Sequence, residues 1–252
     1  MTRRRFYAPP EAFEENFVTL ATEEARHLRD VLRLRVGDEA FVFDGEGREY
    51  LCLIAESLRN SARLEVREAV EAASPESPLS LTLAVALLKG EKFDFVVQKA
   101  TELGVTRIMP VITKRADVRL RDASEPLRRV ARWQRLALEA CKQSGRARVP
   151  EIAVPISFPA LLENDAIENT EARLMFAERS GQSLAEAFSP SDARPAALTA
   201  LVGSEGGWED EEIAQAANAN WTIVTLGGRI LRAETAAITV AALMQHLFGD
   251  LK

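Results

Sequence analysis

Hydrophobic and polar positions recur with two different periods along this chain, and the rhythm changes near residue 75. Before that point, Phe17–Leu20, Glu39–Phe43, 49–55 and Ala62–Val70 alternate or run apolar over strand length. Asp44-Gly45-Glu46-Gly47 separates two of these runs and reads as a hairpin turn, because its glycines accept positive φ. One helix interrupts the strands: Thr22 is placed to cap it, and Ala25, Leu28, Val31 and Leu32 form its apolar stripe. Together these elements predict a small β-barrel of about seventy residues, an architecture that often binds oligonucleotides.

Ala72-Ala73-Ser74-Pro75-Glu76-Ser77-Pro78 can continue neither a helix nor a central strand. Residues 1–73 therefore read as one domain, 74–78 as a linker and 79–252 as a second domain. After the linker, strands and helices alternate. Residues 79–88 form an apolar run broken by Ser80 and Thr82, as expected of a strand buried on both faces. Phe93, Val96, Val97, Ala100 and Leu103 then follow at helical spacing, with Gly104 placed to end the helix. Arg107–Ile112 predicts the next strand, and 126–144 a long helix with Val130, Trp133, Ala137, Ala140 and Cys141 on one face. Short apolar strands at 173–177, 198–203 and 223–226 precede a closing helix at 236–248. Such alternation predicts an α/β fold with a mostly parallel sheet. No internal repeat or low-complexity tract is visible.

Composition adds exclusions. An apolar fraction of 47% with 28% charged residues is that of an ordinary globule, not of a disordered chain. The apolar stretches at 83–88 and 236–244 are far too short to cross a bilayer. Arg3, Arg4 and Arg5 are followed by Ala8-Pro9-Pro10-Glu11 where a signal peptide needs an apolar core, so a cytoplasmic location is expected. Cys52 and Cys141 fit no metal spacing and no disulfide framework, and no metal is expected. The net charge of −6 conceals a polarised distribution. Residues 112–150 hold 11 Lys and Arg against 4 Asp and Glu, a balance of +7, while 151–210 hold 3 against 11, a balance of −8. Separation of this kind suits the steering of an anion, although charged helix surfaces also produce it.

In open parallel sheets ligands bind beyond the carboxyl ends of the strands. Two such ends are rich in glycine here: Leu201-Val202-Gly203-Ser204-Glu205-Gly206-Gly207-Trp208, and Leu226-Gly227-Gly228-Arg229-Ile230-Leu231-Arg232-Ala233-Glu234-Thr235. Glycine lets a backbone approach a ligand closely, and Ile230 and Leu231 offer an apolar wall for a flat ring. Either loop alone could be a tight turn; both together favour a ligand site. Other templates fail. The chain has no Walker A sequence, no dinucleotide fingerprint, no HExxH and no Gly-x-Ser-x-Gly elbow, and His27 and His246 are isolated.

The two glycine loops, with Lys89-Gly90-Glu91-Lys92, Gln98-Lys99-Ala100-Thr101-Glu102-Leu103-Gly104, Gln143-Ser144-Gly145-Arg146 and Val149-Pro150, resemble the ribosomal RNA small subunit methyltransferase E family of the SPOUT superfamily. Arg4-Arg5-Phe6 and His27-Leu28-Arg29-Asp30-Val31-Leu32-Arg33 extend the likeness to nearly the whole chain. Two departures stand out: Ser204 where proline is usual, and Cys141-Lys142 where Ala-Glu is usual. The resemblance implies S-adenosylmethionine-dependent methylation of a uridine N3 in the decoding region of 16S rRNA, free or in the small ribosomal subunit. It also implies a PUA-like N-terminal barrel, a trefoil-knotted α/β domain and a homodimer. Carried over by motif, Leu201, Gly203, Glu205, Gly206, Gly207, Leu226, Gly227, Ile230 and Leu231 would hold the cofactor.

Uracil N3 is a poor nucleophile until its proton leaves, so a cation that stabilises the resulting anion would promote transfer. Arg232 is the candidate for that role, and Glu234 the candidate base or a partner that orients Arg232; a helix-start salt bridge is the plainer account of the pair. Arg3, Arg4, Arg5, Arg29, Arg33, Arg115, Arg146 and Arg148 are candidate phosphate contacts. Other readings are an enzyme of the same fold acting on a ribose 2′-hydroxyl or a pseudouridine, and a non-catalytic RNA-binding assembly factor.

Overall fold

The computed structural model describes residues 3–118, 122–164, 167, 170–188 and 194–252. The chain divides into two units: Met1–Glu76 with Leu138–Val149, and Ser77–Ala137 with Pro150–Lys252. One boundary lies between Glu76 and Ser77, and the first unit is discontinuous along the chain. Its later segment joins through apolar contact, because Cys141 and Ala147 are buried with Phe43, and Tyr7, Ala72, Leu138 and Val149 pack against them.

The first unit is built on strands β1 (Arg5–Tyr7), β2 (Phe13–Glu14), β3 (Phe17–Leu20), β4 (Glu39–Phe43), β5 (Glu49–Ser57) and β6 (Ala62–Val70), in the order β1-β4-β5-β6-β3-β2. The pairings are antiparallel except β1 with β4. The expected barrel is an open, curled half-barrel, since the path ends on the very short strands β1 and β2. Curling follows from two register shifts between β5 and β6, at Leu51/Cys52 and Ile54/Glu56, because extra residues bend and twist a strand pair. The Asp44–Gly47 turn forms as expected: the Asp44 carboxylate accepts from the Glu46 N–H at 2.8 Å and the Arg48 N–H at 3.1 Å. Gly45 and Gly47 take φ of +82° and +112°.

Helix α1 (Thr22–Arg26) departs from the sequence reading. Ala21 is its N-cap, and the Thr22 hydroxyl instead donates to the Asn60 carbonyl at 2.9 Å. The helix then widens into one π turn at His27–Val31. Because π spacing shifts the following residues around the axis, Ala25 and Leu28 are buried whereas Val31 is 64% exposed.

A buried carboxylate organises this unit. Glu49 accepts from Arg5 Nη2 at 3.0 Å, from Arg3 Nη1 at 3.2 Å and from the Ala73 N–H at 3.1 Å. Arg5 also donates to the carbonyls of Cys141 at 3.0 Å and Arg146 at 2.9 Å, and Arg146 pairs with Glu76 at 2.6 Å. Lys142, one of the departures from the family pattern, pairs with Glu24 and with Glu139. Both cysteines are buried and free, and burial pushes each thiol up to about 12.

The second unit holds a seven-stranded, wholly parallel sheet: β7 (Ser80–Ala86), β8 (Arg107–Ile112), β9 (Glu151–Ile152), β10 (Ile156–Ser157), β11 (Ala172–Phe176), β12 (Ala197–Val202) and β13 (Thr222–Val224). The order is β10-β8-β7-β12-β11-β13, with β9 also on β8. Helix α2 (Lys92–Glu102) ends at Gly104, whose φ is +79°. Helix α3 (Glu125–Ser144) buries the expected face, and short helices α4 (Phe158–Leu162) and α5 (Leu184–Ala187) follow. Helix α6 (Asp210–Asn218) has no counterpart in the sequence reading; Glu209 and Glu212 form its capping box. Helix α7 (Ala233–Phe248) packs on β7 and β12. The opposite face of the sheet is covered by Phe158, Leu161, Trp208, Ile213, Ala216 and Trp221.

Removing one partner of a buried, hydrogen-bonded ion cluster strands the others. Glu49→Ala is therefore expected to destabilise the protein by about 3–5 kcal/mol. Urea denaturation measures it.

Candidate functional site

All strands of the second sheet point the same way, so the segments following them gather at one edge. Residues after β11, β12 and β13, with Lys92 at the start of α2 and the first turn of α7, enclose a cleft of about 550 Å³. Both glycine loops line it. Gly203, Glu205, Gly206, Gly207, Leu226, Gly227, Ile230, Leu231 and Arg232 are all in its wall. Leu201 is not among them; its side chain is fully buried in the sheet core, which leaves only its backbone for the expected role. Ile230 lines the cleft but is 92% exposed, so it forms a rim and not an enclosed wall.

The glycines divide into two kinds. A Cβ at 203 would stand 2.9 Å from Trp208 Nε1; at 206, 2.8 Å from Arg115 Cβ; and at 207, 2.7 Å from Glu178 Oε1. In the first loop, then, glycine makes room for protein side chains. Gly227 and Gly228 have nothing within 4 Å of a built Cβ, and Gly227 has φ of +106°. The second loop leaves the space that a ligand needs. Trp208 is anchored by its Nε1–H to the Phe176 carbonyl at 2.9 Å and lies against Phe158.

Charges in the cleft are mostly tied. Lys92 donates to Glu205 at 2.8 Å and lies 4.0 Å from Glu234 Oε2. Burial works most strongly to raise Glu205, but the hydrogen bond and charge of Lys92, together with backbone hydrogen bonds, hold the carboxyl below its usual range. The same bond raises the Lys92 ammonium. Arg232, the N-cap of α7, is exposed and makes no ion pair among the described residues. The cation facing Glu234 is thus Lys92, not Arg232 as the salt-bridge account supposes. Sequence reasoning placed Lys92 only within a motif and gave it no role; the separation of 113 residues between Lys92 and Glu205 hides the pair. Two buried polar atoms of the lining, Ser204 Oγ and Thr225 Oγ1, lack a hydrogen-bond partner, as does Glu234 Oε2, although Glu234 itself does not line the cleft. No group of three or more His, Cys, Asp or Glu able to hold a metal occurs among the described residues.

The candidate phosphate contacts separate by exposure. Arg5 and Arg146 have side chains only 6% and 3% exposed and are spent on Glu49, Glu76 and backbone carbonyls, which removes them from an RNA surface. Arg3 is shared between Glu49 and the Glu71 carbonyl. Arg29 holds Asp30 and the carbonyls of Leu58 and Arg59. Arg4, Arg33 and Arg148 are exposed, Arg148 donating to the Glu46 carbonyl at 3.2 Å. Arg115 is tied to Glu209 and to the Gly206 carbonyl.

Comparison with known proteins decides the family. A model described as an RNA methyltransferase domain matches residues 75–245, and one described as an RNA methyltransferase PUA domain matches residues 20–67. The chain is 36% identical over 245 residues to the ribosomal RNA small subunit methyltransferase E of Synechocystis sp., covering 96% of this chain and 77% of that one. The chain belongs to this methyltransferase family. A Rickettsia conorii member is 31% identical over 255 residues, covering 98% of this chain and 97% of its own. Among solved structures, the Neisseria gonorrhoeae member bound to S-adenosyl methionine matches with a TM-score of 0.86 and 36% identity, covering all of both chains. A Legionella pneumophila methyltransferase in complex with the same cofactor matches with a TM-score of 0.87 and 29% identity, again over all of both chains.

Because a methyl at 203 collides with the indole of Trp208, Gly203→Ala is expected to destabilise the ligand-free protein by about 1–3 kcal/mol through overpacking. Chemical denaturation of the variant checks this.

Proposed function

We propose that this chain transfers the methyl group of S-adenosylmethionine to N3 of a uridine in the decoding region of 16S rRNA, acting as a cytoplasmic homodimer with the knotted chain path of its family. The observation that carries the reading is one cleft lined by both glycine loops, with a guanidinium in its wall that makes no ion pair among the described residues. Its volume of about 550 Å³ suits a ligand of nucleoside size. The orphaned hydroxyls of Ser204 and Thr225 and the open space above Gly227 fit a cofactor that combines an apolar ring with a polar ribose and tail. Gly203, Glu205, Gly206, Gly207, Leu226, Gly227 and Leu231 would hold it, with Ile230 closing the rim. When bound, S-adenosylmethionine supplies an electrophilic methyl on its sulfonium.

The chain's own residues then have two tasks. Arg232 is free to stabilise the negative charge that spreads over the uracil carbonyls as N3 loses its proton. Glu234 receives that proton at Oε2, the oxygen without a hydrogen bond. N3 lies on the pairing edge, so the target base enters unpaired or flipped. Arg4, Arg29, Arg33 and Arg148 supply the phosphate contacts of the first unit.

Mass mapping of nucleosides in 16S rRNA treated with the purified protein tests the reading. Methylation at uridine N3 supports it, whereas a 2′-O-methyl or methylated pseudouridine product overturns the assigned position. Failure to bind S-adenosylmethionine favours an assembly factor. Arg232→Ala is expected to lower kcat by about 100-fold or more while leaving cofactor Kd within about two-fold. Equal losses in both would remove the catalytic assignment.

A further inference from the structure

Arg115 and Arg179 were not needed to describe the cleft, since neither lines it. They approach the 203–208 loop from the segments that follow β8 and β11. Arg115 donates through Nη1 to the Gly206 carbonyl at 3.2 Å and through Nε to Glu209 at 2.7 Å. Arg179 donates through Nη2 to the Trp208 carbonyl at 2.8 Å and to Asp210 at 2.7 Å, and its Nη1 meets Glu178. Each guanidinium thus joins a carbonyl of the loop to a carboxylate just beyond it, at the start of α6. An arginine can do both at once because its donors are fixed in a planar fork; a lysine presents one point charge.

Other features serve the same arrangement. Gly206 is glycine where a Cβ would meet Arg115 Cβ and the Arg115 carbonyl oxygen, both at 2.8 Å, and Gly207 is glycine where a Cβ would meet Glu178. Glu212, 1% exposed, accepts from the Lys114 N–H and the Glu209 N–H, both at 3.0 Å, so the backbone carrying Arg115 is pinned to the helix that follows the loop. The two arginine side chains are 41% and 37% exposed. Exposed pairs of this kind add little to global stability, which leaves local shape as their main effect.

We propose that Arg115 and Arg179 are positioning residues that hold the 203–208 loop, from outside the cleft, in the form that receives the cofactor. The proposal rests on the S-adenosylmethionine reading for the ligand, but the ordering of the loop does not. A preorganised loop spares the ligand the entropy of ordering it. It also removes Arg115 from the RNA contacts expected of it, since its donors are occupied.

The test uses the full-length chain and the variants Arg115→Ala, Arg179→Ala and the corresponding lysine substitutions. Hydrogen exchange of the ligand-free protein reads the loop directly: amides of 205–208 are expected to exchange about ten-fold faster in either alanine variant. Calorimetric titration with S-adenosylmethionine is expected to show Kd raised about ten-fold, with the lysine variants between. KM for the cofactor rises while kcat changes little. The ligand-free Tm is expected to stay within about 3 °C of the parent. Unchanged exchange at 205–208 overturns the proposal, as does a Tm loss well beyond that range, which would mark these arginines as supports of the whole fold. If the parent chain binds no S-adenosylmethionine, the cofactor reading fails while the exchange data still decide the clamp. If parent and variants bind equally well, the clamp fails and the cofactor reading stands.

Discussion

The insertion of β12 between β7 and β11 is the constraint on which the site depends. Hydrogen-bonded on both sides in parallel register, β12 delivers Gly203 to the carboxyl edge of the sheet with the segment after β11 on one flank and the start of α2 on the other. A loop leaving a central strand is crowded by its neighbours. Crowding explains why glycine stands at 203, 206 and 207: Trp208, Arg115 and Glu178 occupy the volume where side chains would go. The second loop leaves β13, an edge strand, and has no such neighbours. One loop is shaped by packing and the other left open, and a cleft requires both.

Electrostatics follows the same geometry. The basic run at 112–150 and the acidic run at 151–210 touch through Arg115 and Glu209. Lys114 pairs with Glu211, Arg115 with Glu209 and Arg179 with Asp210. Individually these exposed pairs stabilise little. In the wall of the cleft itself Lys92 is tied to Glu205, whereas Arg229 and Arg232 are cations with no ion pair among the described residues. The first unit uses charge differently, for the Glu49 side chain is fully buried and its closest cation, Arg5, is only 6% exposed. A buried carboxylate needs that full set of partners, so the arginines near the amino end serve structure before they can serve RNA.

Much of the architecture was legible in local pattern. The alternation at Glu39–Phe43 and Ala62–Val70 matched strands of those bounds, and the helical spacing from Phe93 with Gly104 beyond it matched α2. Helix α6 escaped because its signal is short: a Glu209/Glu212 capping box and two apolar positions, beside a conspicuous glycine loop. The α1 stripe failed at Val31 because a single π turn rotates the later residues about the axis, and no periodic count foresees an inserted turn. Leu138–Val149 joined the first unit because Cys141 and Ala147 needed the cover of Phe43, a contact far away in sequence.

By itself, the sequence determined the longer strands and helices, both glycine loops and the family, since periodicity, turn chemistry and motif spacing are properties of neighbouring residues. Tertiary structure alone decided which glycines face a ligand and which face a side chain. It decided that Lys92 opposes Glu234, that Arg5 and Arg146 are buried, and that Arg115 holds a loop carbonyl 91 residues away. The physical reason is that a charge or a methyl-sized gap acquires meaning only from the atoms within a few ångströms of it. In a parallel sheet those neighbours come from strands distant along the chain.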